Sequence, residues 1–200
     1  MFLMSTSSRP TYHHGALRPA LIAAARALLD EGGPEAVGLR EAARRVGVTP
    51  TATYRHFRDK EALLAAVAAE GFREFGAALT AAGRAADPLP AMGAAYIDFA
   101  LAKPGMFRLM FSPLLAARAD NPDLRAAAEA AFEALRGGVR ARGRAGEGVD
   151  AAAIGAWSLV HGLSHLILDG VLPKADAEIF KRAILAAPNG ALDLKATGKR

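Results

Sequence analysis

Residues 38–61, GLREAARRVGVTPTATYRHFRDKE, constrain the fold more than any other part of this chain. Helical spacing of apolar residues predicts a short helix over Leu39–Val46. We expect this helix to end at Gly47, because glycine most readily takes the positive φ of a helix end. Thr49 is a good N-cap and Pro50 suits the first helical position, so a second helix is predicted at once. Two short helices joined by a tight turn have the layout of a helix-turn-helix, which presents its second helix to DNA.

The apolar residues of this segment are spaced so that the two helices pack on each other, which predicts that the polar residues of the second helix face outward. Between Arg40 and Lys60 there are six basic and two acidic residues, a net charge of +4. A local concentration of this kind fits a phosphate backbone better than the diffuse +5 of the whole chain does. The residues expected to be displayed are Thr51, Thr53, Tyr54, Arg55 and His56.

Composition favours helices and excludes several chemistries. Aromatic residues make up 6% of the 200 residues, whereas Ala, Leu and Arg are frequent. Cysteine is absent, which excludes disulfides, thiolate catalysis and Cys-ligated metal sites and fits a reducing cytoplasm. The sequence has no Gly-rich phosphate loop, no G-x-S-x-G and no HExxH, and its first residues lack the pattern of a signal peptide. We therefore predict a cytoplasmic protein that is not an enzyme.

Helical periodicity predicts an all-α fold of about nine helices. The predicted helices are 17–30, the two helices of the helix-turn-helix, a fourth from Lys60 towards Ala82 with Asp59 as its cap, and then 91–102, 104–115, 122–142, 150–169 and 175–186. Gly83 and the sequence Asp87-Pro88-Leu89-Pro90 mark a boundary between an N-terminal three-helix domain and a C-terminal bundle. The predicted organisation is a flexible arm at 1–12, a helix-turn-helix domain at 13–75, a C-terminal domain at 88–187 and a flexible tail at 188–200.

The segment 151–168 has the length of a membrane span and carries no Asp, Glu, Lys or Arg. It also contains His161 and His165, so we interpret it as a buried helix and predict no association with a membrane. Gly155, Ser158 and Gly162 form a stripe of small residues along which another helix can approach closely.

Between about Tyr12 and Glu74 the chain contains the segments YHHGALRPALIAAARALL, LREAARRVGV and TPTATYRHFRDKEALL. These segments resemble the tetracycline-repressor (TetR) family of bacterial transcription regulators. Further along, YIDFALAKPGMFRLMF and WSLVHGLSHLILDG are similar to the C-terminal domain of a TetR subfamily named for a Trp-His-Gly element, here Trp157, His161 and Gly162. The resemblance implies a sequence-specific regulator, usually a repressor, that a small ligand releases from a palindromic operator.

The resemblance also implies which residues meet DNA. It places Thr49, Tyr54 and Lys60 on phosphates, and it places Arg40, Pro50, Thr51 and Arg55 near bases or the groove wall. The chemistry agrees, since an arginine can bind guanine through two hydrogen bonds and a helix N-terminus such as that at Lys60 attracts phosphate. The chain departs from the family at Gly38 and Leu39, where Ser or Thr commonly begins the second helix and touches the backbone of DNA.

For the C-terminal domain the resemblance implies a homodimer whose last two helices form a four-helix interface. It further implies an apolar pocket whose ligand shifts the DNA-reading heads through the fourth helix, a coupling typically worth ~1–3 kcal/mol. Polarizable methionine side chains and aromatic rings are candidates for lining that pocket, and they would suit an apolar or aromatic small molecule. The candidates are Phe99, Met106, Phe107, Met110, Phe111, Trp157, His161 and His165.

Two other classes of protein stay open at this point. His161, His165 and Asp169 lie at i, i+4 and i+8, as a metal site on one helix face would need, although no further His or Cys ligand is evident; we predict no metal and no cofactor. Asp98 is an isolated carboxylate in an apolar helix. The alternatives are thus a helical ligand- or metal-binding protein with an incidental basic face, or an enzyme without a recognisable motif, and salt-dependent, sequence-specific DNA binding separates the regulator from both.

Overall fold

The structure, a computed structural model, describes residues 16–115, 121–143, 146 and 148–186, so the predicted arm at 1–12 and tail at 188–200 lie outside the described residues. This part of the chain contains nine α-helices and no strand, which confirms the predicted fold class. Two short 3₁₀ turns, Pro113–Leu115 and Lys174–Asp176, flank two of them. The helices are α1 (Leu17–Ala36), α2 (Leu39–Val46), α3 (Pro50–Thr53), α4 (Lys60–Ala82), α5 (Pro88–Ala102), α6 (Pro104–Met110), α7 (Pro122–Ala141), α8 (Gly148–Leu168) and α9 (Ala177–Ala186).

The chain forms two compact units, and the division falls within α4: the first unit ends at Leu64 and the second begins at Ala65. The sequence pattern places the boundary later, at residues 83–90. Composition marks that stretch because its Gly and Pro residues separate α4 from α5, whereas packing places the first turn of α4 with the N-terminal helices.

Helix α1 extends beyond the stop predicted for it. Gly33 takes a φ of 73° and a ψ of −173°, outside the helical region, so the regular helix is interrupted at the Gly32-Gly33 pair that follows the predicted helix 17–30. A helical turn then resumes at Pro34, which needs no N–H partner at that position, and continues to Ala36.

The turn between α2 and α3 has the predicted geometry. Gly47 is left-handed, with φ 75° and ψ 29°, and the N–H of Val48 donates to the carbonyl of Ala43 at 3.0 Å. Thr49 and Pro50 begin α3 as predicted, but the expected capping bond is wrong, because the Thr49 side chain accepts no hydrogen bond from the helix. The cap of α4 is confirmed, since Asp59 Oδ1 accepts from the N–H of Ala62 at 2.7 Å.

Buried apolar side chains hold these helices together in the N-terminal unit. Helix α2 packs on both α1 and α3. Phe57 is buried just after α3, and the Arg18 guanidinium lies over its ring at 5.3 Å from the centroid. Because the core anchors the chain on both sides of it, the position of the short α3 is fixed by its neighbours. The buried apolar residues of this unit include Leu21, Ile22, Ala25, Leu28, Leu29, Val37, Leu39, Ala42, Ala43, Phe57, Leu63 and Leu64.

Helix α5 is central to the C-terminal unit, where it packs against α6, α7, α8 and α9. Helix α8 packs on α5, α7 and α9, and its length and apolar composition are those of a helix able to cross a membrane. The prediction that α8 is buried is correct for one face only. Its inner face includes Val160, Leu163 and Ile167, whereas Ile154 and Leu166 are exposed.

Candidate DNA-binding surface and ligand cavity

The recognition helix α3 and the turns around it form a polar surface on the N-terminal unit. Seven of the residues that sequence reasoning assigned to DNA binding lie partly or fully in solvent close to α3, and Tyr54 is 54% exposed. Arg40 is exposed in the first turn of α2, the helix that precedes α3. The seven are Thr49, Pro50, Thr51, Tyr54, Arg55, His56 and Lys60, of which His56 and Lys60 are half-buried.

Thr53 departs from the predicted display. Its side chain is fully buried, and its hydroxyl donates to the carbonyl of Pro50 at 2.7 Å. The prediction was wrong because the side chains of a helix of one turn point in every direction, and that of Thr53 points into the packed interior of the unit. Thr53 therefore supports α3 from within and is not part of the displayed surface.

Four of the six bases in this segment lie within ion-pair distance of a carboxylate. Arg44 donates two hydrogen bonds to Glu41, at 2.9 and 2.6 Å, and lowers the pKa of that carboxyl below its ordinary value. These pairs are exposed and contribute little to stability, but they reduce the local positive charge. The paired bases and their partners are Arg44 with Glu41, Arg45 with Glu31, Arg58 with Asp59 at 3.0 Å, and Lys60 with Glu35 at 3.8 Å.

Arg40 and Arg55 differ from these bases. Neither forms an ion pair within residues 16–115, 121–143, 146 and 148–186, and both are exposed. Their guanidinium groups keep five N–H donors each for an external acceptor. Of the basic side chains between Arg40 and Lys60, these two arginines are therefore the ones most available to an external anion.

A cavity of about 920 Å³ lies within the C-terminal unit. Its wall is formed by residues of α4, α5, α7, α8 and α9, together with Phe111 just after α6, and it is predominantly apolar. The volume lies in the range of pockets that hold drug-sized molecules. The lining residues include Phe72, Phe75, Leu79, Leu89, Met92, Tyr96, Phe111, Phe132, Leu135, Val139, Arg142, Trp157, Val160 and Leu185.

Of the eight predicted pocket residues, Phe111 and Trp157 line this cavity. Met106, Phe107 and Met110 are fully buried in the packed core instead, and Phe99 is buried 5.2 Å from the ring of Phe75. The two histidines lie on α8, each with its ring 5.4 Å from that of Phe107. None of these six residues lines the cavity, so their assignment to a ligand pocket stays a prediction.

Sequence reasoning missed Tyr96, Phe75 and Phe132, which do line the cavity. No local signal separates a helix face that borders a cavity from one that packs into a core, because both are apolar with the same period. Tyr96 offered the best clue. A tyrosine within an otherwise apolar stretch of α5 needs a partner for its hydroxyl when it is buried.

The hydroxyl of Tyr96 has two partners on α8. Trp157 Nε1 donates to it at 3.0 Å, and His161 Nδ1 lies 2.7 Å from it. Burial raises the pKa of Tyr96, and burial together with the nearby His165 lowers the pKa of His161. Both groups are therefore neutral at neutral pH, and the three side chains form an uncharged polar cluster beside the apolar wall. We call this cluster the Tyr96 triad.

The stripe of His161, His165 and Asp169 does not form an open metal site. His165 Nδ1 lies 3.6 Å from Asp169 Oδ2, while Arg108 donates to Asp169 Oδ1 at 2.7 Å. Within the described residues no group of three or more His, Asp or Glu side chains could hold a metal ion.

Asp98 and Arg142 are both engaged in ion pairs. The expectation that Asp98 is isolated is wrong, because Lys181 of α9 donates to it at 2.7 Å. Arg142, at the end of α7, donates to both carboxylate oxygens of Asp87 at 2.7 Å. Arg142 lines the cavity, so this pair neutralises a charge at its wall.

Comparison with known proteins gives two matching family models. Residues 21–67 match the family described as bacterial regulatory proteins of the tetR family, and residues 89–187 match the tetracyclin repressor-like C-terminal domain. No curated protein sequence matches the chain.

Three solved structures illustrate the similarity. A protein of unknown function from Rhodococcus sp. RHA1 is 31% identical with a TM-score of 0.74, and the match covers 89% of this chain and 96% of that one. A regulatory protein in the tetR family from Rhodococcus RHA1 is 26% identical with a TM-score of 0.55, covering 85% and 95%. The multidrug binding protein EbrR complexed with imidazole is 22% identical with a TM-score of 0.62, covering 96% and 100%, and it shows similarity of fold.

Proposed function

This chain belongs to the TetR family of DNA-binding transcriptional regulators, and we propose that it is a repressor that leaves a palindromic operator when a small apolar or aromatic ligand fills its C-terminal cavity. As a member of that family it is a regulator with a ligand-binding C-terminal domain and is not an enzyme. We further assign it to the cytoplasm, where its DNA lies, and to the subfamily with the Trp-His-Gly element.

The observation that carries the DNA-binding proposal is the exposed surface around α3. Arg40 and Arg55 are exposed and form no ion pair in the described part of the chain, which suits them to donate hydrogen bonds to guanine or phosphate. Tyr54 presents a hydroxyl on a rigid ring, and Lys60 lies at the N-terminus of the long helix α4, where the helix dipole also favours an anion. We propose that Thr49, Tyr54 and Lys60 bind phosphates while Arg40, Pro50, Thr51 and Arg55 approach the bases.

An apolar face on the last two helices supports a homodimer through α8 and α9. Ile154 and Leu166 of α8 and Ile179 of α9 are exposed, at 51%, 43% and 57%. Nothing lies within 4 Å of a Cβ placed on Gly155 or Gly162, so a second helix can approach this stripe closely. Two copies related by a twofold axis would present two α3 helices to successive major grooves, which is the arrangement that reads a palindrome.

The cavity supports the proposal that a ligand controls the regulator. Its volume and apolar wall fit a molecule of drug size, and Trp157 lies in that wall. We expect such a ligand to change the emission of Trp157, the single tryptophan of the chain, at the concentration that releases DNA. An emission spectrum that stays constant while a ligand releases DNA would place the ligand elsewhere.

The experiment that tests the function is selection of bound fragments from a random or genomic DNA pool at about physiological salt, where non-specific binding is weak. We expect enrichment of a palindrome. Failure to enrich any sequence by a folded protein would reject a sequence-specific regulator and favour a helical ligand-binding protein with an incidental basic face.

Single substitutions then test the assigned contacts on the enriched site and on random DNA. Lys60→Ala should weaken binding about equally on both and reduce the salt slope by about one. Arg40→Ala should cost roughly 1–3 kcal/mol on the enriched site and relax the base preference there. Arg125→Ala is the matched control, because Arg125 is exposed on α7 in the other unit. Equal effects of Arg40→Ala and Lys60→Ala on specific and random DNA would contradict the division of roles.

A further inference from the structure

The polar groups of the cavity wall specify a narrower class of ligand than its apolar surface does. Among the described residues that line the cavity, Arg142 is the one that carries a formal charge, and Asp87 binds it through both carboxylate oxygens. An anionic ligand would have to compete with that carboxylate, and a cationic ligand would meet no unpaired carboxylate on the wall. Because burying an unpaired charge is costly, the wall favours a neutral molecule.

The Tyr96 triad supplies the polar contact that remains. The indole N–H of Trp157 can only donate, so the Tyr96 oxygen accepts that bond. With His161 neutral, the Tyr96 hydroxyl can donate its own proton to Nδ1. Besides the bond that it accepts from Trp157, the phenol oxygen retains a second, weaker acceptor position, and Tyr96 is one of the residues that line the cavity.

From this arrangement we propose that the cavity selects a neutral, largely apolar molecule that carries one hydrogen-bond donor, and that Tyr96 is the residue that reads the donor. Trp157 and His161 act as positioning residues, since they occupy one acceptor position and the proton of the hydroxyl and leave the second acceptor position for the ligand. This assigns a physical role to the Trp and His of the Trp-His-Gly element. The inference rests on the proposed ligand control of this cavity.

Three probes with one skeleton test the proposal on the full-length protein. N-phenyl-1-naphthylamine is neutral and has one N–H donor, its N-methyl derivative is neutral and has none, and 8-anilino-1-naphthalenesulfonate carries the N–H together with a negative charge. All three can be followed by fluorescence as they enter an apolar site. We expect the neutral donor to bind about tenfold more tightly than the N-methyl compound, the size of one net hydrogen bond, and the sulfonate to bind most weakly.

Two substitutions separate the contributions. Tyr96→Phe should abolish the preference for the donor and leave the affinity for the N-methyl probe within about threefold, whereas Arg125→Ala, at an exposed position of α7 outside the cavity wall, should change neither affinity. Asp87→Asn frees the charge of Arg142 and should strengthen binding of the sulfonate by about threefold or more without affecting the neutral probes. Asp87 makes no side-chain cap bond to α5, so this change does not remove a cap.

The outcomes distinguish this proposal from the proposed function. The inference is overturned if the sulfonate binds best to the unaltered protein, if the two neutral probes bind equally, or if Tyr96→Phe keeps the donor preference. Binding of none of the probes also overturns it, while operator binding by the same preparation still supports the regulator. The ranking of the probes on the unaltered protein needs no variant, so it decides the question even if Tyr96→Phe unfolds.

Discussion

Replacing Gly47 by Ala should destabilise the turn that places the recognition helix. Gly47 has φ 75° and ψ 29°, a left-handed conformation that costs an L-residue with a side chain about 1–2 kcal/mol. No atom lies within 4 Å of a Cβ built there, so no steric clash adds to that cost. Alanine also restricts the unfolded chain, which offsets about 0.4–1 kcal/mol. The expected net loss is therefore about 1 kcal/mol, confined to the N-terminal unit.

Amide hydrogen exchange measured segment by segment can detect this loss. A decrease of about 1 kcal/mol in the free energy of local opening should accelerate exchange in α2 about fivefold. Gly47→Asn should lose less, because asparagine tolerates the left-handed region. Gly137→Ala provides the opposite control: Gly137 is exposed within helix α7, nothing lies within 4 Å of a Cβ there, and the change should stabilise α7 by about 0.5–1 kcal/mol.

Operator binding should change little in Gly47→Ala, because the folded unit remains the dominant species and its contact residues are unaltered. The reasoning is refuted if exchange in α2 is unchanged or slower, since the turn would then not require a positive φ. It is equally refuted if asparagine costs as much as alanine, since the cost would then not come from the backbone conformation.

Four other substitutions test separate features of the two units. Thr53→Val keeps the shape of a buried side chain but removes its hydrogen bond to the Pro50 carbonyl, so it should lower the free energy of unfolding in urea by about 1 kcal/mol and leave operator affinity unchanged. Tyr54→Phe should have the opposite effect, since it should weaken operator binding without changing stability. Gly38→Ser should stabilise α2 by a few tenths of a kcal/mol, because serine is a better N-cap than glycine. It should also add a phosphate contact, which would make operator binding tighter and its dependence on salt steeper. Unchanged operator binding would contradict that contact. Burial lowers the pKa of His161 below 6.5, so the stability that its neutral ring supplies is present above about pH 6.5 and is lost as the pH falls through the lowered pKa. His161→Gln should therefore lose less stability than the unaltered protein between about pH 7.5 and about pH 5.5 in urea unfolding, and equal losses would argue against a perturbed histidine.

Local sequence signals are sufficient to predict the turn and the helix starts that identify the DNA-reading unit. Gly47, the Thr49-Pro50 pair and Asp59 act on the backbone within about three residues of themselves, so their effects can be derived without knowing what packs nearby. The end of α2 and the starts of α3 and α4 follow from these residues and agree with the structure. A helix stop at Gly33 is a local effect of the same kind, although the turn that resumes at Pro34 was not foreseen.

Tertiary structure decided which side chains those helices bury and which they leave in solvent. Thr53 is polar but buried, and one face of α8 is apolar but exposed, because burial depends on which helix lies opposite and not on the residue type. Asp98 is paired by Lys181, 83 positions further along the chain. The cavity needs five helices to form its wall, and the Tyr96 triad joins residues about 61 and 65 positions apart. Such contacts are set by how helices pack in space, and helical periodicity carries information only about a helix's own faces.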